Sequence, residues 1–358
     1  MDSFAELGPR VRDAARWRSL QVLFSLTAAS ALTGALVACG GGGAGDAPPA
    51  PAPTPVPVPT PAPTSSTPIA AQLTVPTPVG YDADRLAAFN RLNEIRLSAG
   101  LGMVAQNTMM DQAAQAHAQW MVANDSFVHG EAAGTPGFTG ENYARRDEFF
   151  GYVPVGGGEV MAQGPASAGV DSLVNAAYHR AILLAFEPDD VGIGWSSNRT
   201  SNVQTPLVID VTMPGTDSVR GLGQSGQSSI RGTALWPIDG ARNVPIRLGL
   251  ETPNPVPAQD VLTLGTPVSI TVDASRTIHA SHFTLTDVTT GAIVPTQLLT
   301  NKNDTNFLIP ESFIAAIPLA PLATTTSYRV DFSGSTVQFP SGAVEVVSRT
   351  WSFTTAAQ

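Results

Sequence analysis

Several side chains with reactive groups lie close together in one polar segment of the chain. The segment "MVANDSFVHGEAAGTPGFTGENYARR" runs from Met121 to Arg146 and contains His129 and, twelve residues later, Glu141 in a Gly-Glu-Asn triplet. An imidazole that titrates near neutral pH and a carboxylate can together move protons or contribute to a metal site. A loop histidine alone is an ordinary surface residue, so a site here needs partners from elsewhere in the chain.

Further histidines and acids offer such partners, and some of them are better explained by packing. His179 lies in "YHRAILLAFEPDDVGIG" and Glu159 in "GEVMAQG". His117 falls on the apolar face of a predicted helix, which indicates a hydrogen-bonded core histidine. His279 and His282 lie in a β-rich tail and are predicted to be strand or surface residues.

Helical periodicity predicts the elements around these residues. In "DADRLAAFNRLNEIRLSAG" the apolar spacing predicts a helix that begins after Asp82 or Asp84 and ends at Gly100. A second helix is predicted over 108–124, with one continuous apolar face. A third is predicted over Val170–Leu184.

β-rich patterns follow these helices along the chain. Residues 191–196 and 206–213 are predicted to be strands, which together with the helices indicates an α+β sandwich. A Gly/Ser-rich link at 221–229 then separates this region from residues 231–358. There, short β-prone runs with little helical periodicity predict a second domain that is a small β-sandwich.

The N-terminal part of the chain is typical of an exported lipoprotein. Residues 1–38 have arginines followed by the apolar stretch "LQVLFSLTAASALTGALVA", as in a signal peptide. The sequence "LVAC" at 36–39 resembles a bacterial lipobox, so Cys39 is predicted to be lipidated and to anchor the protein in a membrane. Residues 39–77 are rich in Gly and Pro and predict an extended tether. Gly rather than Asp at position 40 favours the outer membrane.

The composition of the chain limits which classes of function and structure remain. The length of 358 residues favours two domains, and 43% hydrophobic with 13% charged residues is typical of packed cores. The formal net charge is −10, and removal of the signal takes away four Arg and three acidic residues, which leaves a more acidic chain. Nucleic-acid binding needs a basic face and is excluded. A single Cys forms no internal disulfide.

The order and spacing of several motifs carry a family resemblance. "FNRLNEIRLSAGLGMVAQNTMMDQAAQAHAQWMVANDSFVH", "GEVMAQG" and "YHRAILLAFEPDDVGIG" resemble the bacterial branch of the CAP superfamily, named for cysteine-rich secretory proteins, antigen 5 and pathogenesis-related 1. The resemblance implies an α-β-α sandwich over residues 78–218. The tail resembles bacterial Ig-like domains through "LWPIDGARNVP" and "WSFTT".

The resemblance also implies a set of site residues. In the CAP family two histidines and usually two acids line a cleft, and the histidines can share a divalent metal. The motifs place His129 and His179 at the histidine positions. For the first acid they favour Glu159 over Glu141, since "GEVMAQG" follows a Gly-Tyr pair as in the bacterial branch. The second acid has no clear counterpart, and Asp171 is the nearest candidate.

Two functions follow as hypotheses from these features. The first is a monomeric, lipid-anchored binding module for a lipid-like, peptidic or glycan ligand. The second is a metal-assisted hydrolase in which His129 and His179 hold Zn²⁺ or another divalent cation and Glu159 is the general base. The missing second acid predicts weak metal binding at best, because two imidazoles and one carboxylate make a poor zinc site. A structural envelope protein with a vestigial cleft is the remaining possibility.

Overall fold

The computed structural model describes residues 70–197, 202–214, 227 and 232–357. The predicted signal peptide, the lipidation residue Cys39 and the tether up to residue 69 lie outside the described residues. No helix within the described ranges is long and apolar enough to cross a membrane.

The first helix, α1, spans Ala83–Ser98 and has the ends that the sequence predicts. The side chain of Asp82 accepts a hydrogen bond from the backbone N–H of Arg85 at 2.8 Å, which makes it the N-cap. At the other end Gly100 has φ +83°, a left-handed conformation that glycine adopts without strain. The helix buries its apolar face in the core.

The second helix, α2, spans Thr108–Ala123 and is capped by Asn107, whose side chain accepts from the N–H groups of Met109 and Met110. The apolar face that the sequence predicts is buried along its whole length: Met110, Ala113, Ala114, His117, Trp120 and Met121. His117 therefore points into the protein interior with its neighbours on that face.

A third helix, α3, spans Tyr143–Phe149 and was not predicted. The side chain of Asn142 accepts a hydrogen bond from the N–H of Arg145 at 3.1 Å and caps the helix. The Asn of the Gly-Glu-Asn triplet is thus a helix cap, which explains its polarity without a ligand.

The single helix predicted over Val170–Leu184 is wrong. The chain forms two helices instead, α4 at Ala166–Val174 and α5 at Ala177–Leu183. At the break, Asn175 donates from Nδ2 to the carbonyl of Arg247 at 2.6 Å, and its own carbonyl accepts from the N–H of Gly249. Contacts from the C-terminal region therefore end the first helix and start the second.

One mixed sheet lies between these helices. Its strands are β1 (Ala105–Gln106), β2 (Pro154–Gln163), β3 (Asp190–Trp195) and β4 (Pro206–Pro214), in the order β1-β3-β4-β2. β1 and β3 are parallel, and the other neighbouring pairs are antiparallel. Because β2 stands at the end of the strand order, it is an edge strand. The strands β3 and β4 agree with the two predicted runs.

Helices cover both faces of this sheet. A Cβ on Gly194 would lie 2.2 Å from the backbone of Ala114, so α2 packs closely on one face. A Cβ on Gly158 would lie 3.1 Å from the Ile182 side chain, which places α5 on the other face. The expected α-β-α sandwich is confirmed.

The C-terminal region is all-β, as predicted. One four-stranded sheet contains β5 (Ala234–Trp236), β7 (Val268–Thr271), β9 (Thr296–Thr300) and β10 (Phe313–Pro318). The other contains β6 (Ala241–Val244), β8 (Arg276–Asp287), β11 (Ser327–Gln338) and β12 (Val344–Thr355). Apolar side chains from both sheets form a common core, as in a β-sandwich.

Helix α5 belongs to both halves of the molecule. Its residues Ala177, Tyr178 and Ala181 join an apolar cluster with residues of the C-terminal region such as Phe313. Arg180 is buried and donates to the carbonyls of Val174 and, across the boundary, Pro267. These contacts hold helix α5 against the C-terminal region.

Candidate functional site

His129 and Glu159 form a hydrogen-bonded pair. His129 lies in the loop after α2, and Glu159 lies in the middle of the edge strand β2. The distance from His129 Nδ1 to Glu159 Oε1 is 2.8 Å. The imidazole side chain is 18% exposed, whereas the carboxylate is 2% exposed. Because a carboxylate only accepts hydrogen bonds, Nδ1 carries a proton and donates to Glu159, which leaves Nε2 for another partner.

The carboxylate of Glu159 is held from its other side by Arg146 of α3. Arg146 is fully buried and donates from Nη2 to Glu159 Oε2. It also donates from Nη1 to the carbonyl of His129 at 3.1 Å, so one guanidinium fixes both members of the pair. Burial alone raises the pKa of Glu159, but the charges of Arg146 and His117 outweigh it and hold the pKa below its usual range.

His117 is the packed core histidine that its helical position predicts. Its Nδ1 lies 3.0 Å from Glu131 Oε1, and its Nε2 lies 3.0 Å from the carbonyl of Val128. The second oxygen of Glu131 accepts from the N–H groups of Thr139 and Gly140. Burial lowers the pKa of His117 and outweighs the opposing charge of Glu159. Both ring nitrogens are engaged, so this residue supports the site from within.

Two further acids surround Glu159, and sequence reasoning missed both. Asp210 stands directly opposite Glu159 in the β2–β4 pairing and is fully buried. Asp147, on α3, is also fully buried, and its carboxyl group has no hydrogen-bond partner among the described residues. The sequence signal for Asp210 was a single acid within the apolar run "PLVIDVTM". A charged side chain in a buried strand is costly unless it has a partner.

The buried acids differ in charge because they share one strong cation. Burial, followed by the charge of Glu159, raises the pKa of Asp147 to about 8. The same causes raise the pKa of Asp210 well above its usual range. Like charges at short range cannot all ionise in a dry interior. The negative charge is therefore favoured on Glu159, beside Arg146, over Asp147 and Asp210.

The alternative acid, Glu141, lies on the surface. Its side chain is 65% exposed and lies 3.7 Å from Arg145 of the adjoining helix. The structure thus pairs His129 with Glu159 rather than with Glu141, and the Gly-Glu-Asn triplet forms a helix start.

Asp171, the candidate for a second acid, also lies away from the histidines. It is 53% exposed and accepts a hydrogen bond from Arg91 of α1 at 2.7 Å. Its role is that of a surface ion pair between neighbouring helices.

His179 lies near a different acid. It is on α5, and its backbone N–H donates to Oε1 of Glu251 in the C-terminal region at 3.1 Å. Its Nδ1 is 3.2 Å from the same oxygen but makes no hydrogen bond among the described residues. His129, by contrast, is paired with Glu159. The two histidines of the predicted site therefore lie beside different glutamates. Sequence reasoning missed Glu251 because it lies beyond the predicted domain boundary.

The donors do not fit the metal site that the resemblance implies. A zinc site needs at least three converging protein ligands. In the part of the chain that the structure describes, no three His, Cys, Asp or Glu side chains are arranged to hold a metal ion. His129 and His179 each have Nδ1 beside a glutamate, so that Nε2 is the ring nitrogen left for another partner. The arrangement is suited to orienting imidazoles and binding polar groups.

Comparison with known proteins gives a family for the first domain. A family model described as "CAP: Cysteine-rich secretory protein family" matches residues 89–209. These residues include His129, Glu159 and His179. No curated protein matches the chain.

Two solved structures of bacterial proteins are similar to part of the chain. One is an extracellular protein containing an SCP domain from Bacillus anthracis, with 18% identity, a TM-score of 0.31, and coverage of 36% of this chain and 40% of that one. The other is an outer surface protein from Borrelia burgdorferi, with 15% identity, a TM-score of 0.31, and coverage of 35% of this chain and 89% of that one.

Proposed function

We propose that the chain, whose residues 89–209 match the CAP family model, is an exported, envelope-anchored binding module of the bacterial branch of that superfamily. The CAP domain binds its ligand at His129. The predicted lipid on Cys39 anchors the protein in the outer membrane, and the Pro-rich tether holds the folded part away from it. The C-terminal β-domain supports the CAP domain.

The observation that carries this proposal is the fixed orientation of His129. Its Nδ1 is bound by a carboxylate that is itself held by the buried Arg146. A ring fixed in this way loses little conformational freedom when a ligand binds, which favours affinity. Its other nitrogen, Nε2, forms a hydrogen bond with a hydroxyl or amide group of the ligand. Peptides, glycans and lipid head groups all carry such donors, and they are the ligand classes that we propose.

Metal-assisted hydrolysis is not the function that the geometry supports. That reaction needs a metal ion held by several donors and a water molecule beside a general base. Among the residues that the structure describes, no three His, Cys, Asp or Glu side chains are arranged to hold such an ion. Glu159 is fixed by Arg146 and its pKa is lowered, which makes it a weak base.

Ligand capture tests the proposed function. The purified mature protein is incubated with an extract of the bacterial envelope, and the retained molecules are identified by mass spectrometry. We expect a defined molecule to be retained by the wild type and lost with His129→Gln. The matched control is His282→Gln, on the exposed part of β8, which should retain the same molecule. Equal retention by all three proteins, or none by the wild type, contradicts the proposal.

A further inference from the structure

The N-terminal part of strand β12 has a neighbouring strand on one side only. β12 pairs with β11 from Val344 to Thr354. On its opposite edge it pairs with β6 only near its C-terminal end, at Phe353 and Thr355. Among the residues that the structure describes, no strand pairs with that edge between Val344 and Ser348, which we call the free edge of β12. Such an edge presents backbone groups that can bind another strand.

The hydrogen bonds of Ser352 show which backbone groups lie on the free edge. The N–H of Ser352 donates to the side chain of Asp239 at 2.9 Å, and its carbonyl accepts from the N–H of Gly240 at 2.8 Å. Both partners lie on the side of β12 away from β11. Because backbone groups alternate in direction along a strand, the other even-numbered residues face the same way. The free edge therefore presents the N–H and C=O groups of Val346 and Ser348.

The side chains of the free edge are apolar on the face that points to solvent. Val344 and Val346 are 68% and 82% exposed, whereas Val347 lies on the opposite face and belongs to the core. Val337 of β11 stands directly opposite Val344, and Phe339 at the end of that hairpin is also exposed. Natural sheets protect an open edge with Lys or Pro, and this segment of β12 contains neither. The free edge is therefore suited to being covered by another strand.

The charges beside Val347 favour a second copy of the same chain as the partner. Glu345 and Arg349 lie at equal distances along the chain on either side of Val347. In an antiparallel pair with a two-fold axis at Val347, Glu345 of each copy stands opposite Arg349 of the other. The neighbouring registers place Glu345 opposite itself, Val347 or Trp351. Opposite charges in facing positions stabilise a strand pair and like charges destabilise it, so the charges select the register centred on Val347.

We propose that two copies of this chain form a dimer by antiparallel pairing of their free edges, centred on Val347. In this register Val346 and Ser348 of one copy exchange backbone hydrogen bonds with Ser348 and Val346 of the other, so that two sheets become one. The carbonyl of Ser348 accepts from Arg349 Nη1 at 2.8 Å, and its second lone pair serves the new bond. The dimer replaces the monomer expected from the sequence and is independent of ligand binding at His129.

The two charged side chains keep groups available for the second copy. Glu345 is 64% exposed, and one of its oxygens, Oε2, accepts from Arg276 of its own sheet. Arg349 donates from Nε to Thr233 at 3.0 Å, which leaves Nη2 for another acceptor. Glu345 and Arg349 of the second copy form a non-hydrogen-bonded pair, in which facing side chains lie closest. A single strand pair buries little area, so we expect association to be weak and to depend on concentration.

Analytical ultracentrifugation of the mature chain tests this proposal. Cys39→Ser removes the predicted lipid and any intermolecular disulfide, and the chain is measured between about 1 μM and 1 mM. We expect a dimer that forms as the concentration rises. Val346→Pro removes an N–H that only the dimer uses and should weaken association about tenfold or more. Val346→Thr keeps this N–H and the branched shape, so it is the matched control and should still dimerise. A monomer at every concentration, or a dimer that Val346→Pro leaves intact, overturns the proposal.

An exchange of charges tests the register in the same experiment. Glu345→Arg places like charges opposite each other and should weaken association about tenfold. Adding Arg349→Glu restores opposite charges, and the double variant should dimerise nearly as well as the unchanged chain. Thermal unfolding in dilute solution checks that each variant is folded, and this pair remains decisive if Val346→Pro does not fold. Equal association of all these variants, or no recovery in the double variant, overturns the pairing centred on Val347.

Discussion

The two domains fill their interiors in different ways. The core between the two C-terminal sheets is apolar, with side chains such as Val330, Phe332 and Phe353. Beneath the helices α2 and α3, by contrast, the CAP domain buries several charged groups around Glu159 and Arg146. Buried charges stabilise a fold less than apolar packing does. We infer that the CAP interior does more than hold the chain together, because it also fixes His129 at the surface.

Loss of Arg146 should have the greatest effect on stability, because this residue compensates the buried acids. Arg146→Met keeps the volume but leaves Glu159 and Glu131 buried without a strong cation. We expect the free energy of unfolding to fall by about 3–5 kcal/mol, measured by chemical denaturation. Arg145→Met, on the same helix but exposed, should leave the free energy of unfolding nearly unchanged. Similar losses in the two variants would show that the cluster does not depend on its cation.

The pH dependence of stability tests the same contrast between the domains. Because the pKa of Asp147 is raised to about 8 in the folded protein, its favourable contribution is complete at acid pH and is lost as the pH rises toward 8. We expect the free energy of unfolding to fall with a slope of up to about 1.4 kcal/mol per pH unit per proton in this window. Asp147→Asn should reduce this slope and stabilise the protein above neutral pH.

The control for that experiment lies in the other domain. Phe353→Leu removes only apolar volume from the sandwich core. Its loss of stability should not vary with pH between about 4 and 8, because no titrating group is involved. An Asp147→Asn variant with the wild-type pH profile would refute the assignment of a raised pKa.

A weaker effect is expected at the Gly-Glu-Asn triplet. Asn142→Ala removes the N-cap of α3, so the free energy of unfolding should fall by about 1 kcal/mol. Glu141→Ala removes only an exposed ion pair and should change it by less than about 0.5 kcal/mol. Thermal unfolding of both variants measures the difference. A larger effect from Glu141→Ala would contradict the surface role of that residue.

Local signals predicted much of the fold. The apolar periodicity and the caps indicated α1 and α2 because helix ends depend on nearby residues such as Asp82 and Gly100. The family resemblance favoured Glu159 over Glu141, and the structure pairs Glu159 with His129. The break between α4 and α5 was missed, since the groups that stabilise it belong to another domain.

The strongly periodic helices and strands follow from the amino-acid sequence, and its resemblance to the CAP superfamily implied His129, Glu159 and His179 as the residues to examine. The sequence does not determine which acid lies beside each histidine, and the folded chain shows it. The cause is separation along the chain: Glu251 is 72 residues from His179. A buried carboxylate is tolerated there because folding brings it to the free N–H groups of α5, and no local pattern records that contact.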